Sequence, residues 1–189
     1  GIYAKTPIYK PSDTIDMRFR ALIDPASQLF VQALGADTFQ IASNEVVTGL
    51  QTGLIEAGET STLVYNISGT SYEAPYLTRT RHTLSLIALV ANKRWYETLT
   101  TEQQDMVMQS HPPTKYSGDA LRADEESILA AAEHVTVIEL TPQQLAVWKK
   151  VGRSTHGALI KEAGGQAQEL YDLVLKAKAN FAVRNARAD

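Results

Sequence analysis

Cysteine is absent from the sequence, which excludes disulfides, thiolate metal sites and cysteine nucleophiles. An excess of charge is lacking too. Lys and Arg number 18 against 21 Asp and Glu, for a net charge of −3, and neither sign forms a long block. Such a balance gives no electrostatic pull toward nucleic acid or an anionic membrane surface. The longest apolar run, residues 84–91, is far too short to span a bilayer. No HExxH, phosphate-loop or nucleophile-elbow pattern occurs. His111, His134 and His156 have no metal-ligand spacing with one another or with carboxylates, so neither a metal nor a cofactor is expected. Gly1-Ile2-Tyr3-Ala4-Lys5 is neither a signal peptide nor a natural initiation, and a processed chain or a fragment is expected.

What is present suffices for a sizeable core: 189 residues, 44% of them hydrophobic, enough for one large domain or a domain with an appendage. Residues 16–60 carry the clearest pattern. Met17-Arg18-Phe19-Arg20-Ala21 alternates with the period of a β-strand. Asp24 and Pro25 then supply an N-cap and first helical residue, Leu29, Phe30, Ala33 and Leu34 a helical stripe, and Gly35 a stop. A strand over 38–41 leads to Ser43, read as a second N-cap, then to a helix carrying Val46, Val47 and Leu50 and ending at Gly53. Residues 54–59 read as a third strand. This alternation predicts βαβ units and a parallel or mixed sheet. In such sheets ligands sit beyond the carboxyl ends of the strands, where Arg20 and Glu59-Thr60 fall.

Residues 1–15 read as an extended lead-in, with Pro7 and Pro11. Beyond Thr60, Ser61 is expected to cap a short helix ending at Gly69, residues 71–75 to form a loop, and 76–82 a strand. Residues 84–90 read as a strand buried on both faces, and 93–99 as a helical turn. Thr100 with Gln103, and Thr141-Pro142 with Gln144, are capping boxes. The first opens a helix that stops at His111-Pro112-Pro113, and a further helix is expected over 115–133 and a strand over 136–139. The second opens a helix reaching Gly164-Gly165, with Leu145, Trp148, Val151 and Leu159 on its stripe, and Trp95 and Trp148 read as core. Leu170, Leu173, Val174 and Phe181 mark a last amphipathic helix. The class is α/β: a mixed sheet with flanking helices and a helical C-terminal third.

Several segments, taken in order, resemble the solute-binding proteins of tripartite ATP-independent periplasmic (TRAP) transporters, the DctP family. Residues 13–20 (DTIDMRFR) are similar to the family's DLKGLKIR strand, and Leu34-Gly35-Ala36 to its LGA helix end. Residues 43–53 (SNEVVTGLQTG) follow SEVYTALQTG, and 55–60 (IEAGET) stand where VDGQEN is usual. Residues 76–82 (YLTRTRH) and 92–103 (NKRWYETLTTEQ) complete the series. The likeness is close over residues 5–135 and covers the helical remainder in outline.

The resemblance implies a two-lobed periplasmic clamp that closes on a carboxylate-bearing solute and hands it to a membrane permease. It also implies that the N-terminal lobe is not part of this chain. The incomplete clamp divides into an α/β lobe over 1–92, with a hinge crossing near 54–60, and a mostly helical remainder over 93–189. An organic anion and the TRAP permease subunits are the implied partners, nucleic acid is not, and copies of the chain are expected to associate through the surfaces left open.

Arg20 matches the family's carboxylate-clamping arginine, and a planar guanidinium suits a carboxylate through two parallel hydrogen bonds. From the residues alone, Arg20 reads as a solvated arginine on the polar face of an alternating strand, beside Arg18; the family match is what turns it toward a ligand. Thr60 stands where relatives place a solute-contacting asparagine; it keeps one donor and loses the amide's second contact, or caps the next helix. Glu59 keeps the family's acid and reads as ligand contact or structural pair. His82 ends the post-hinge strand near the cleft, although a lone histidine is more often structural. Ser43 caps a helix whose N-terminus could help hold an anion. Two other classes stay open: an enzyme with Arg20 as anion anchor and Glu59 or His82 as acid–base group, and a structural lobe without a ligand.

Overall fold

A computed structural model describes residues 1–83, 89–110 and 114–185. Among the described residues six short strands form one sheet: β1 (Ile2–Ala4), β2 (Arg18–Ala21), β3 (Asp37–Gln40), β4 (Ala57–Glu59), β5 (Tyr76–Thr78) and β6 (Thr136–Ile138). Their order is β3-β2-β4-β1-β5-β6. β2 pairs in parallel with β3 and β4, β5 in parallel with β6, and β1 runs antiparallel to both β4 and β5. The sheet is therefore mixed, as the alternation of strand and helix patterns predicts.

β1 is the strand that the lead-in reading missed. Ile2, Tyr3 and Ala4 are all buried, because β1 lies inside the sheet with a helix layer on each face. A strand buried on both faces shows no alternation, and three residues are too few to reveal one.

The connections put α1 (Pro25–Ala33) on one face of the sheet and α2 (Val46–Thr52) on the other. Phe30, Val31 and Leu34 join a core with Ile2, Phe19, Ala57 and Trp148. Val46 and Leu50 join a second core with Tyr3, Ile55, Tyr65 and Leu77. The chain thus leaves β2 toward one face and β3 toward the other. In the order β3-β2-β4 the strand order reverses between the parallel strands β2 and β4, and the carboxyl ends of strands at such a switch are where α/β sheets bind ligands.

The caps explain the helix starts. The Asp24 carboxylate accepts from Ser27 N at 2.9 Å, and Pro25 fills the first turn. Ser61 Oγ accepts from Val64 N and opens α3 (Thr62–Ile67). Thr100 and Gln103 exchange bonds at the start of α6 (Thr101–Gln109), which follows α5 (Lys93–Glu97). Thr141 and Gln144 do the same at α8 (Pro142–Ser154). Gly53 ends α2 with φ +73°, a conformation that costs glycine little.

Several boundaries differ from expectation. Residues 71–75 do not form a loop throughout: Thr70–Glu73 make a helical turn, α4. Of residues 54–59 only Ala57–Glu59 pair as a strand, and of 76–82 only Tyr76–Thr78. The expected strand over 84–90 falls mainly outside the described residues. Its last two members, Leu89 and Val90, lie in no strand and are 80% and 83% exposed. His111-Pro112-Pro113 also lies outside the described residues. α7 (Thr114–Ala131) follows, and the expected long helix after Thr141 breaks at Thr155 into α8 and α9 (His156–Ala163).

Trp148 is the keystone of the C-terminal attachment. It is fully buried under α1, and its indole N–H donates to Tyr9 O at 3.3 Å. Trp95 is not core: it is half exposed on α5. α10 (Ala167–Asn185) packs on α9 and leaves Leu170, Leu173, Val174 and Phe181 exposed.

Candidate functional site

Arg20 is 4% exposed at the carboxyl end of β2. Its side chain reaches to the segment after β3. There Nε donates to Ile41 O at 3.4 Å and a terminal nitrogen donates to Ser43 Oγ at 3.2 Å. Among the described residues no carboxylate pairs with this guanidinium. A buried, permanently charged group left without a counter-charge is costly unless an anion meets it.

Ser43 does not cap a helix. It is the first residue of a short 3-10 turn, Ser43–Glu45, that Ala42 precedes. The Glu45 carboxylate accepts from Ala42 N at 3.1 Å, leaving the Ser43 hydroxyl to receive the guanidinium. The sequence pattern makes both residues candidates and expects Ser43 to cap a helix; the structure joins the two by a hydrogen bond instead.

Glu59 and His82 form a second group on the other face of the sheet. The register pairs Arg20 with Gly58, so alternation turns Glu59 away from the arginine. Glu59 Oε2 lies 2.6 Å from His82 Nε2. Its other oxygen accepts from the Ser27 hydroxyl, and Ser27 Oγ in turn accepts from Leu22 N at 2.7 Å. Thr80 Oγ1 bonds His82 Nδ1, and the imidazole stacks on Phe30 with centroids 4.4 Å apart. Burial pushes the Glu59 carboxyl up, but the His82 bond and charge and the Ser27 hydroxyl together hold it below its ordinary value.

This chain of bonds fixes the loop after β2, through Leu22, to the end of β4 and to the segment after β5. It is a positioning network. The carboxylate stands between serine and histidine, so the histidine does not face the hydroxyl as a base activating a nucleophile must.

Thr60 lies beside this group, at the rim of a shallow depression shared with Leu22, Glu59, Ser61, His82 and Thr83. Its backbone N donates to Gly1 O at 3.2 Å, and its hydroxyl has no hydrogen bond among the described residues. Ser61, not Thr60, caps α3. The five residues singled out from sequence therefore separate into Arg20 with Ser43, and Glu59 with His82 and Thr60 nearby.

Sequence reading missed Ser27, Phe30 and Tyr3 as neighbours of these groups. Ser27 had a signal, lying at the third position after the Asp24 cap, where a side chain sits close to the strand end. Phe30 reads as an ordinary core residue. Tyr3 belongs to the unrecognised β1.

Polar side chains from successive loops gathered at the carboxyl ends of a mixed α/β sheet are a setting in which small solutes bind. The family model for bacterial extracellular solute-binding proteins, family 7 (DctP), matches residues 1–162. The chain belongs to this family, which consists of binding proteins and not of enzymes. It is 32% identical over 178 residues to the ectoine-binding periplasmic protein TeaA of Halomonas elongata, covering 90% of this chain and 52% of that one. It is 28% identical over 166 residues to the ectoine/5-hydroxyectoine-binding periplasmic protein UehA of Ruegeria pomeroyi, covering 85% and 49%.

The solved structure of TeaA matches with a TM-score of 0.79 at 28% identity, covering 90% of this chain and 57% of that one. A TRAP periplasmic solute-binding protein from Rhodoferax ferrireducens, solved with bound malonate, has a TM-score of 0.79 at 20% identity, covering 96% and 60%, and shows the fold alone. The chain thus spans about half the length of the curated relatives it matches. No described helix is long and apolar enough to cross a membrane.

Proposed function

We propose that this chain supplies one wall of a periplasmic clamp that holds a small organic anion and delivers it, chemically unchanged, to the membrane permease of a TRAP transporter. The single observation that carries this reading is Arg20: buried, charged, without a carboxylate partner among the described residues, and held at the carboxyl end of β2. A carboxylate fits that group through two parallel charge-assisted bonds, each worth about 1.5–3 kcal/mol. Two relatives are described as binding ectoine or 5-hydroxyectoine and another as binding C4-dicarboxylates. These solutes share a carboxylate and little else, which agrees with an arginine anchor and leaves the remaining contacts to set the choice of solute.

The second group, Glu59 with His82, gives the clamp a rigid base beside Thr60, whose hydroxyl is free to contact solute. Residues 54–60 cross between the two halves of the clamp, and closure there is driven by contacts made only in the closed state. The test is recovery of the ligand. Incubation with malonate, L-malate, a hexuronate and ectoine, followed by mass spectrometry, is expected to return each bound acid intact. Conversion of any of them by the chain would overturn the binding reading in favour of an enzyme.

A further inference from the structure

In the register of the sheet, Leu77, Tyr3, Gly58, Arg20 and Phe39 stand side by side on β5, β1, β4, β2 and β3. Gly58 sits between the tyrosine and the arginine, and its lack of a side chain lets the two approach. A Cβ at Gly58 would fall 2.2 Å from the Tyr3 hydroxyl and 3.1 Å from Arg20 Cβ. The phenol therefore crosses over the glycine toward the arginine.

Tyr3 is 1% exposed, and its hydroxyl has no hydrogen-bond partner among the described residues. Its ring stacks on Tyr65, a packing role that phenylalanine would fill without stranding a donor. Buried hydroxyls without partners are rare in folded proteins, because burial strips them of water. Burial pushes this phenol up, and the Arg20 charge opposes that only in part. The group stays protonated and keeps a proton to donate.

We propose that Tyr3 is a third donor of the Arg20–Ser43 site, giving its hydroxyl to the carboxylate that the guanidinium holds. The inference rests on the reading of Arg20 as anion anchor. The guanidinium meets the carboxylate without leaving Ile41 and Ser43, because its second terminal nitrogen makes no hydrogen bond among the described residues. One carboxylate oxygen then takes bonds from the guanidinium and the other takes the phenol proton. Solutes with an accessible, unesterified carboxylate are favoured, and the site discriminates against amides and esters of the same shape.

The test compares the parent chain with Tyr3→Phe and Arg20→Met, using malonate, L-malate, galacturonate and ectoine as probes in calorimetry. Thermal unfolding without ligand is recorded in parallel. Tyr3→Phe is expected to unfold at the parent's temperature or above it. Its affinity for the best-bound acid should fall about tenfold, the value of one hydrogen bond to a charged group. An unchanged affinity in Tyr3→Phe alongside a loss in Arg20→Met overturns the inference and leaves the arginine anchor standing. Unchanged affinity in both variants, or a parent that binds none of the probes, overturns the anchor and the inference together. A drop in the unfolding temperature of ligand-free Tyr3→Phe shows that the hydroxyl is already bonded within the chain, and also overturns it.

Discussion

Arg20 and Ser43 are joined by a 3.2 Å hydrogen bond although 23 residues separate them in sequence. The bond ties the end of β2 to the segment after β3, and it holds the guanidinium in place there. Ser43→Ala removes one of the two bonds that orient Arg20 and leaves its charge. Affinity for an organic acid is expected to weaken roughly three- to tenfold, the worth of one ordinary hydrogen bond, with the unfolding midpoint little changed. Calorimetry on the parent and the variant checks this.

Glu59 and His82 make a prediction about pH. The Glu59 carboxyl titrates below its ordinary 4.5 in the folded chain. A group depressed in this way contributes stability that is fully present above the unfolded value and is lost as pH falls through the folded one. The parent should therefore lose stability as pH falls below 4.5, and Glu59→Gln should flatten that part of the profile. At neutral pH, His82→Leu leaves the buried carboxylate with Ser27 alone and is expected to cost about 3 kcal/mol or more. Urea unfolding between pH 3 and 7 measures both effects.

Gly58 makes a prediction about packing. Gly58→Ala drives a methyl group into the Tyr3 phenol, with backbone neighbours on both sides to resist the shift. A cost of about 1–3 kcal/mol is expected from overpacking. Combining it with Tyr3→Ala should cost less than the sum of the two single changes, because the clash disappears with the ring. Strict additivity in chemical denaturation would show that the two residues do not touch.

Much of this fold is legible in the sequence because capping and alternation are local. Asp24-Pro25, Thr100 with Gln103 and Thr141 with Gln144 start helices where their patterns place them. β2 shows its alternation because one of its four residues faces water. β1 shows none, since all three of its residues are buried. The site was half legible. The pattern points to both Arg20 and Ser43, yet it makes the serine a cap because local spacing cannot reveal a bond across 23 residues. Glu59 was grouped with Arg20 by its place at a strand end. Its facing depends on the register with β2, which sequence pattern does not contain.

The exposed stripe of α10 bears on association. Leu170, Leu173, Val174 and Phe181 face solvent, and a contiguous exposed apolar stripe of this kind favours association. Light scattering at rising concentration is expected to show self-association, and Leu173→Glu with Phe181→Glu should reduce it. A parent that stays monomeric throughout would contradict this expectation.

The most direct test of the central claim is titration of the parent and Arg20→Gln with organic acids in a calorimeter, with circular dichroism to confirm that both are folded. Arg20 as the anion anchor predicts that the parent binds at least one acid and that the folded glutamine variant binds it at least about tenfold more weakly. A folded variant that binds the acid as tightly as the parent would contradict it.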